Sequence, residues 1–207
     1  MNLLRKPFRY VFFNATMAIV LINVASLFLL QMIPRSLRYL GLSYAGLRLH
    51  YYWQLVTYLF VHGGWRHLIF NMIALFFFGI PVEKACGSKE FLLFYILCGI
   101  MDGLISMLIY NLIGLNILLV GASGSIYAVL FAYAVIYPRN IIYIWGIIPV
   151  PAPILVLAYG LIEFFGQFFG SGGISHVAHL SGFFLAWIYF VVRMGIHPMK
   201  VWRDSLR

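Results

Sequence analysis

Residues 103–138 read GLISMLIYNLIGLNILLVGASGSIYAVLFAYAVIYP, and none of these 36 carries a formal charge. Asp102 and Arg139 close the run at its two ends. A helix crossing ~30 Å of hydrocarbon at 1.5 Å per residue needs about 20 residues. The run is therefore too long for one crossing. It divides into the end of one span, a connection near Asn111 to Leu115, and a further span from about Asn116 to Tyr137.

The rest of the chain has the same character. Of 207 residues 64% are apolar, and only 9% are charged (14 Lys+Arg, 5 Asp+Glu), against ~25% in a soluble domain. That excludes a soluble globular enzyme, a disordered tail and a disulfide scaffold. Cys86 and Cys98 are too few for a disulfide framework and fall in no metal-like spacing. A formal net charge of +9 would suggest nucleic acid in a soluble protein. Here the basic residues sit at the ends and in short loops, where they read as topology signals facing anionic lipid. No nucleic-acid partner is expected.

Nearer the N-terminus, 25 uncharged residues lie between Arg9 and Arg35, giving a first span from about Tyr10 to Ile33. HLIFNMIALFFFGIPV (67–82) makes a second. The third runs from about Phe91 to Tyr110 and is interrupted by Asp102. The fifth covers about Ala152 to Phe169, its start marked by Pro149, Pro151 and Pro153, which would break a helix interior. The sixth runs from about Val177 to Val192. Residues 141–148 are apolar but short, and either lie at the interface or extend span five. The first run is too long for a signal core and lacks a small-residue cleavage site, so no cleavable signal peptide is expected. The expectation is an all-α, six-helix polytopic membrane bundle forming one domain over 1–207.

Six spans put both termini on one side. With both in the cytoplasm, 10 of the 14 Lys+Arg lie inside, on the tails 1–9 and 193–207 and at Lys84, Lys89 and Arg139. The other four (Arg35, Arg38, Arg48, Arg66) share one outer loop, 34–66. Positive-inside favours this orientation over its reverse, in an inner or plasma membrane. The loop contains YYWQLVTYLFV (51–61), too apolar for free solvent, so it is expected half-buried at the membrane surface.

Polar groups inside a bilayer are costly and tend to face a cavity or the bundle interior. Four stand out: His67 and Asn71 in span two, Ser123 in span four and His179 in span six. Those spans all run from outside to inside, and each residue lies near the start of its span. Ser123 is about seven residues in, ~10 Å down if the segment is helical. Residues remote in sequence thus share one layer.

Their chemistry is complementary. Ser123 lies in Gly121-Ala122-Ser123-Gly124, where glycines permit a tight bend and leave room for an approaching chain. Serine needs a base to become a nucleophile, and His179 is the available one. His67 and Asn71, four apart, share a helical face and can both donate hydrogen bonds. With the Ser123 backbone N–H they would form an oxyanion hole. Each feature taken alone has a simpler reading: close packing for Gly121 and Ser125, interhelical hydrogen bonds for His67 and Asn71, back-bonding for Ser123. Their joint occurrence at one depth is what favours acyl-transfer chemistry. His62 and His176 lie near the same level, but no HExxH pattern or carboxylate at ligand spacing supports a metal site.

On these residues the chain resembles the rhomboid intramembrane serine proteases over nearly its whole length. The matching segments are His67-Leu68-Ile69-Phe70-Asn71, Gly121-Ala122-Ser123-Gly124 followed by Tyr127, and Ala178-His179-Leu180-Ser181-Gly182. Val82-Glu83-Lys84 with Gly87-Ser88 matches the turn after the second helix. The resemblance implies a Ser123–His179 dyad without an acidic third member, His67 and Asn71 assisting the oxyanion, and Tyr127 stacked on His179. It implies that Gly182 and Ala186 pack the sixth helix against the fourth. It further implies transmembrane protein substrates in the lipid bilayer and no cofactor. Two departures are visible. Trp53-Gln54 replaces a frequent Trp-Arg, leaving the bracing of the outer loop open, and Ala186 stands where Gly is common. Glu163, near the outer end of span five, could orient a histidine, although a buried carboxylate more often has a structural partner.

Two other classes compete. A small transporter or channel would carry polar residues through its full depth, whereas the inner halves of spans two and four (IALFFFGI, AVLFAYAVIY) are nearly all apolar. A non-catalytic membrane chaperone would not need Ser123 with His179.

Overall fold

The computed structural model describes residues 7–144, 146–169 and 173–205. Arg5, Lys6 and Arg207, counted above among the inner basic residues, lie outside these. Helix α1 (Ala15–Met32) is uncharged throughout. It starts later than the charge-free run allows, because Asn14 takes a left-handed φ of 57° and the chain before it is not helical. The Glu83 carboxylate accepts from Ala15 N at 2.6 Å and Thr16 N at 2.8 Å. It thereby satisfies two of the N–H groups that a helix start leaves unpaired, at the positive end of the dipole.

The long loop over 34–66 is structured: α2 (Ser36–Leu40), β1 (Leu42–Ser43), α3 (Tyr44–Arg48), α4 (Gln54–Thr57) and a tight turn over Tyr58–Phe60. Leu42, Tyr58 and Leu59 are fully buried against Met107, Tyr110 and Leu119. Gln54 supplies the bracing that the missing arginine left open. Its buried amide donates to the carbonyls of Arg38 and Tyr39, both at 3.2 Å, and accepts from Ser43 N at 3.2 Å.

Helix α5 (Trp65–Ala74) passes through a π-turn into α6 (Ile80–Cys86), and α7 (Ser88–Leu112) follows. Asp102 does not interrupt α7. It is buried in mid-helix and accepts from the hydroxyls of Tyr58 and Ser181, as an intramembrane carboxylate must find partners. On the same helix, buried Glu90 accepts from Phe8 N at 3.0 Å, Arg193 Nε at 2.9 Å and the Tyr189 hydroxyl, tying three remote segments together.

Span four differs most from its expectation. Leu118–Leu119 form β2, which pairs antiparallel with β1 (Leu42 opposite Leu119). Gly121 N then donates to Tyr58 O at 3.0 Å, and α8 covers only Ser123–Ile136. Ser123 is therefore the first helical residue rather than seven residues along a helix. Fourteen residues span about 21 Å, less than the ~30 Å of a hydrocarbon core. The extended segment, not a helix, carries the chain down to Ser123.

Ile141–Ile144 (β3) and Ile148–Pro151 (β4) form a hairpin, so residues 141–148 do not extend span five. Helix α9 (Ala152–Phe169) starts among the prolines, with Pro153 in its first turn, where a missing N–H is tolerated, and α10 (Gly173–Tyr189) runs into a second π-turn. Residues 198–205, expected within a basic tail, form helix α11 (Pro198–Ser205), whose buried Trp202 donates Nε1–H to Ala134 O at 3.0 Å. Among the described residues four helices are long and apolar enough to cross a membrane: Ala15–Met32, Trp65–Cys86, Ser88–Leu112 and His176–Met194. Two shorter apolar helices, Ser123–Ile136 and Ala152–Gly166, stand where spans four and five were expected. The shortest, α8, is buried over most of its length and packs against α7, α9 and α10.

Candidate active site

The site is built around the start of α8. Gly121 has φ +107°, a conformation that costs glycine little. Space demands glycine there too, because a Cβ would lie 2.5 Å from His67 Cε1 and 3.6 Å from Asn71 Nδ2. The backbone two residues before Ser123 therefore rests directly on the His67 ring, with Asn71 one turn further along α5 on the same face.

Asn71 is held from the loop before α5. Its Nδ2 donates to His62 Nε2 at 2.9 Å, leaving its second N–H for another acceptor. His62 is buried, and its pKa is pushed down to about 3, first by burial and then by His67. It is thus neutral near pH 7 and has a lone pair to offer. In the sequence His62 was only an extra histidine; lying in the loop before α5, it had no helical spacing to link it to Asn71.

The other wall is α10. The His179 ring stacks on Tyr127, with centroids 4.0 Å apart and planes 6° from parallel. Tyr127 lies one helical turn after Ser123 and so shares its face. One residue past Ser123 the two helices touch backbone to backbone: a Cβ on Gly182 would sit 2.3 Å from Gly124 O. Ala186 is also fully buried. Beneath Gly124 lies Asp102, whose Oδ2 would be 2.0 Å from a Cβ added there. In the sequence Asp102 stands only as a break in span three, although a lone carboxylate in mid-span is the signal of a buried partner.

Ser123 itself is half-buried. Ala122 occupies the N-cap and no side chain caps the helix, so the first N–H groups of α8 have no intrahelical acceptor. Among the described residues no hydrogen bond joins Ser123 Oγ to His179; catalytic hydrogen bonds are often long in apo sites and tighten with substrate.

Glu163 departs from what the resemblance implied. Its carboxylate is buried, and Oε1 lies 2.9 Å from His179 Nδ1. Oε1 also accepts from the Tyr127 hydroxyl, and Oε2 pairs with His176 Nδ1. The signal in the sequence was the three-residue spacing of His176 and His179, which puts both imidazoles on one face of α10. Among the described residues no group of three or more His, Cys, Asp or Glu side chains could hold a metal ion. An activatable hydroxyl, an imidazole and convergent N–H donors are the components of acyl transfer to serine.

Comparison with known proteins shows the family. The rhomboid domain model matches residues 49–195. The chain is 34% identical to rhomboid-related protein 1 of Caenorhabditis elegans over 138 residues, 63% of this chain and 36% of that protein. It is 29% identical over 133 residues to the putative rhomboid protease YdcA of Bacillus subtilis, 63% of this chain and 62% of that one. It is also 36% identical to rhomboid-like protease 3 of Toxoplasma gondii over 75 residues, 36% of this chain and 28% of that protein. The chain thus spans about a third to three fifths of the length of the curated relatives that it matches over most of its own. A family match over most of the chain, joined to long apolar helices, makes this an integral multi-pass membrane protein, and it belongs to the rhomboid family.

Proposed function

We propose that this protein is an intramembrane serine endopeptidase that hydrolyses peptide bonds in or near the transmembrane segments of membrane proteins. Ser123 is the nucleophile, and His179 takes its proton and later returns it to the leaving amine. The N–H groups of Ser123, Asn71 and His67 receive the oxyanion, and Gly121 keeps that space open. The observation that carries the proposal is the packing of α8 between two functional walls. Gly121 lies on His67 and Asn71, while Tyr127 on the same helix stacks on His179.

The distribution of Lys and Arg supports both termini in the cytoplasm, and the site then opens to the outer face. Substrates, single-pass or other transmembrane proteins, come sideways from the bilayer. Their helix must loosen near the cut, because a helical peptide bond is shielded. The decisive experiment is cleavage of a model transmembrane substrate by purified protein in vesicles, with the cut site mapped. A cut in the outer part of the span is expected, and moving the helix-weakening residues to the inner half should abolish it. No cleavage of any such substrate, together with no fluorophosphonate labelling of Ser123, would remove the proposal.

The oxyanion donors give a graded prediction. Removing one donor typically costs ~10²–10³ in rate, less where several share the charge. Asn71→Ala is expected to lower kcat measurably and His67→Ala to lower it further, with both proteins folded. Native turnover in both variants would leave the serine chemistry without these two donors.

A further inference from the structure

We infer that Glu163 is a positioning residue for His179, so that the serine chemistry runs on a Ser–His–Glu relay rather than on a dyad. The inference rests on the Ser123–His179 assignment and adds the group behind the imidazole.

Three observations carry it. Glu163 Oε1 lies 2.9 Å from His179 Nδ1, the ring nitrogen that serine hydrolases orient with a carboxylate. That Nδ1 is buried and has no other partner among the described residues, so the carboxylate is what it faces. The carboxylate is itself held: Tyr127, which stacks on the His179 ring, donates its hydroxyl to the same Oε1, and His176 occupies Oε2. One side chain, Tyr127, thus sets both the plane of the imidazole and the position of the oxygen behind it.

Oε1 lies off the line of the Nδ1–H bond, at ion-pair distance without hydrogen-bond alignment. That suits a partner for the imidazolium rather than for the resting ring. When Ser123 Oγ bonds to the scissile carbon, its proton passes to His179 Nε2 and the carbonyl π pair moves to oxygen. The ring then carries a positive charge and an N–H on both nitrogens. The Nδ1–H faces Glu163, which stabilises that charge without taking the proton. The Nε2 proton leaves with the amine nitrogen as the C–N bond breaks, and water repeats the sequence on the acyl-enzyme. The competing role is mechanical: Glu163 on α9 clamps α10 through His176 alone.

Full-length protein in vesicles separates the two roles through the rate at which a fluorophosphonate labels Ser123. Glu163→Gln is nearly isosteric and can still accept from Tyr127, but carries no charge. It should slow labelling by up to ~10⁴-fold and lower kcat by a similar factor. KM should change by less than about twofold, because the interaction is made in the transition state. Glu163→Asp keeps the charge with a shorter reach and should label about tenfold faster than Glu163→Gln. A clamp would instead reduce the labelled fraction and the melting temperature, with an unchanged rate constant in the folded molecules. Wild-type labelling rates in Glu163→Gln overturn the inference; failure of the wild type to label at Ser123 overturns the serine assignment instead. Should Glu163→Gln not fold, proton NMR of histidine-labelled wild type at low pH decides, with signals assigned by their loss in His179→Ala. The relay requires the Nδ1–H of the His179 imidazolium to show the strongly downfield signal of a bond to a carboxylate, and an Nδ1–H without that shift refutes it.

Discussion

Ser123→Ala and His179→Ala are each expected to abolish proteolysis in a protein that still folds and inserts. The serine hydroxyl is the only atom proposed to bond covalently to substrate, and the imidazole is the only base proposed to free it. Removing either member of such a pair removes the whole covalent route, so the losses are strongly non-additive. The double variant should be about as inactive as each single one. What remains is any rate from substrate binding and the oxyanion donors, which in serine hydrolases is ~10³–10⁴ over water and far below native turnover. Neither substitution opens a large cavity: Ser123 is half-buried at a helix start, and Tyr127, itself packed on Phe183, still lines the space beside residue 179. Melting temperatures should therefore stay near that of the wild type. Substantial cleavage by Ser123→Ala would end the assignment, and additive losses would show that the two residues act independently.

The parts of the molecule legible in the sequence are those set by the medium. Lipid forbids charges and unpaired backbone over about 20 residues, so charge-free runs locate the helices directly. His67, Asn71, Ser123 and His179 stood out because the same solvent makes polar side chains rare. What could not be read depends on pairing between remote segments. Residues 116–122 are as apolar as a helix, yet Leu118 and Leu119 pair with Ser43 and Leu42, and nothing local distinguishes the two states. The hairpin of 141–151 is hidden in the same way. Gln54 braces the outer loop through main-chain groups 11 to 16 residues away, partners that carry no sequence signature. Glu163 was visible as a carboxylate, but its direction depends on how α9 sits against α10.

That dependence on interhelical distance makes Gly182→Ala a severe test of the site. The new methyl would lie 2.3 Å from Gly124 O and 3.1 Å from Gly124 C. Both are backbone atoms of a helix buried on its other faces by α7 and α9, so no rotamer change relieves the clash. Reaching ordinary contact near 3.4 Å requires α8 and α10 to part by about 1 Å, at the level where Ser123 must meet His179. A displacement of 1 Å in a reacting pair can cost ~10² in rate, and overpacking adds about 1–3 kcal/mol of destabilisation. Gly182→Ala should therefore lose about a hundredfold or more in kcat and melt lower, yet still insert. Gly160→Ala is the control, because its Cβ would meet Phe183 at 3.9 Å, an ordinary contact, and it should retain native turnover. If Gly182→Ala cleaves substrate as well as Gly160→Ala, the close approach of α8 and α10 is not what brings nucleophile and base together.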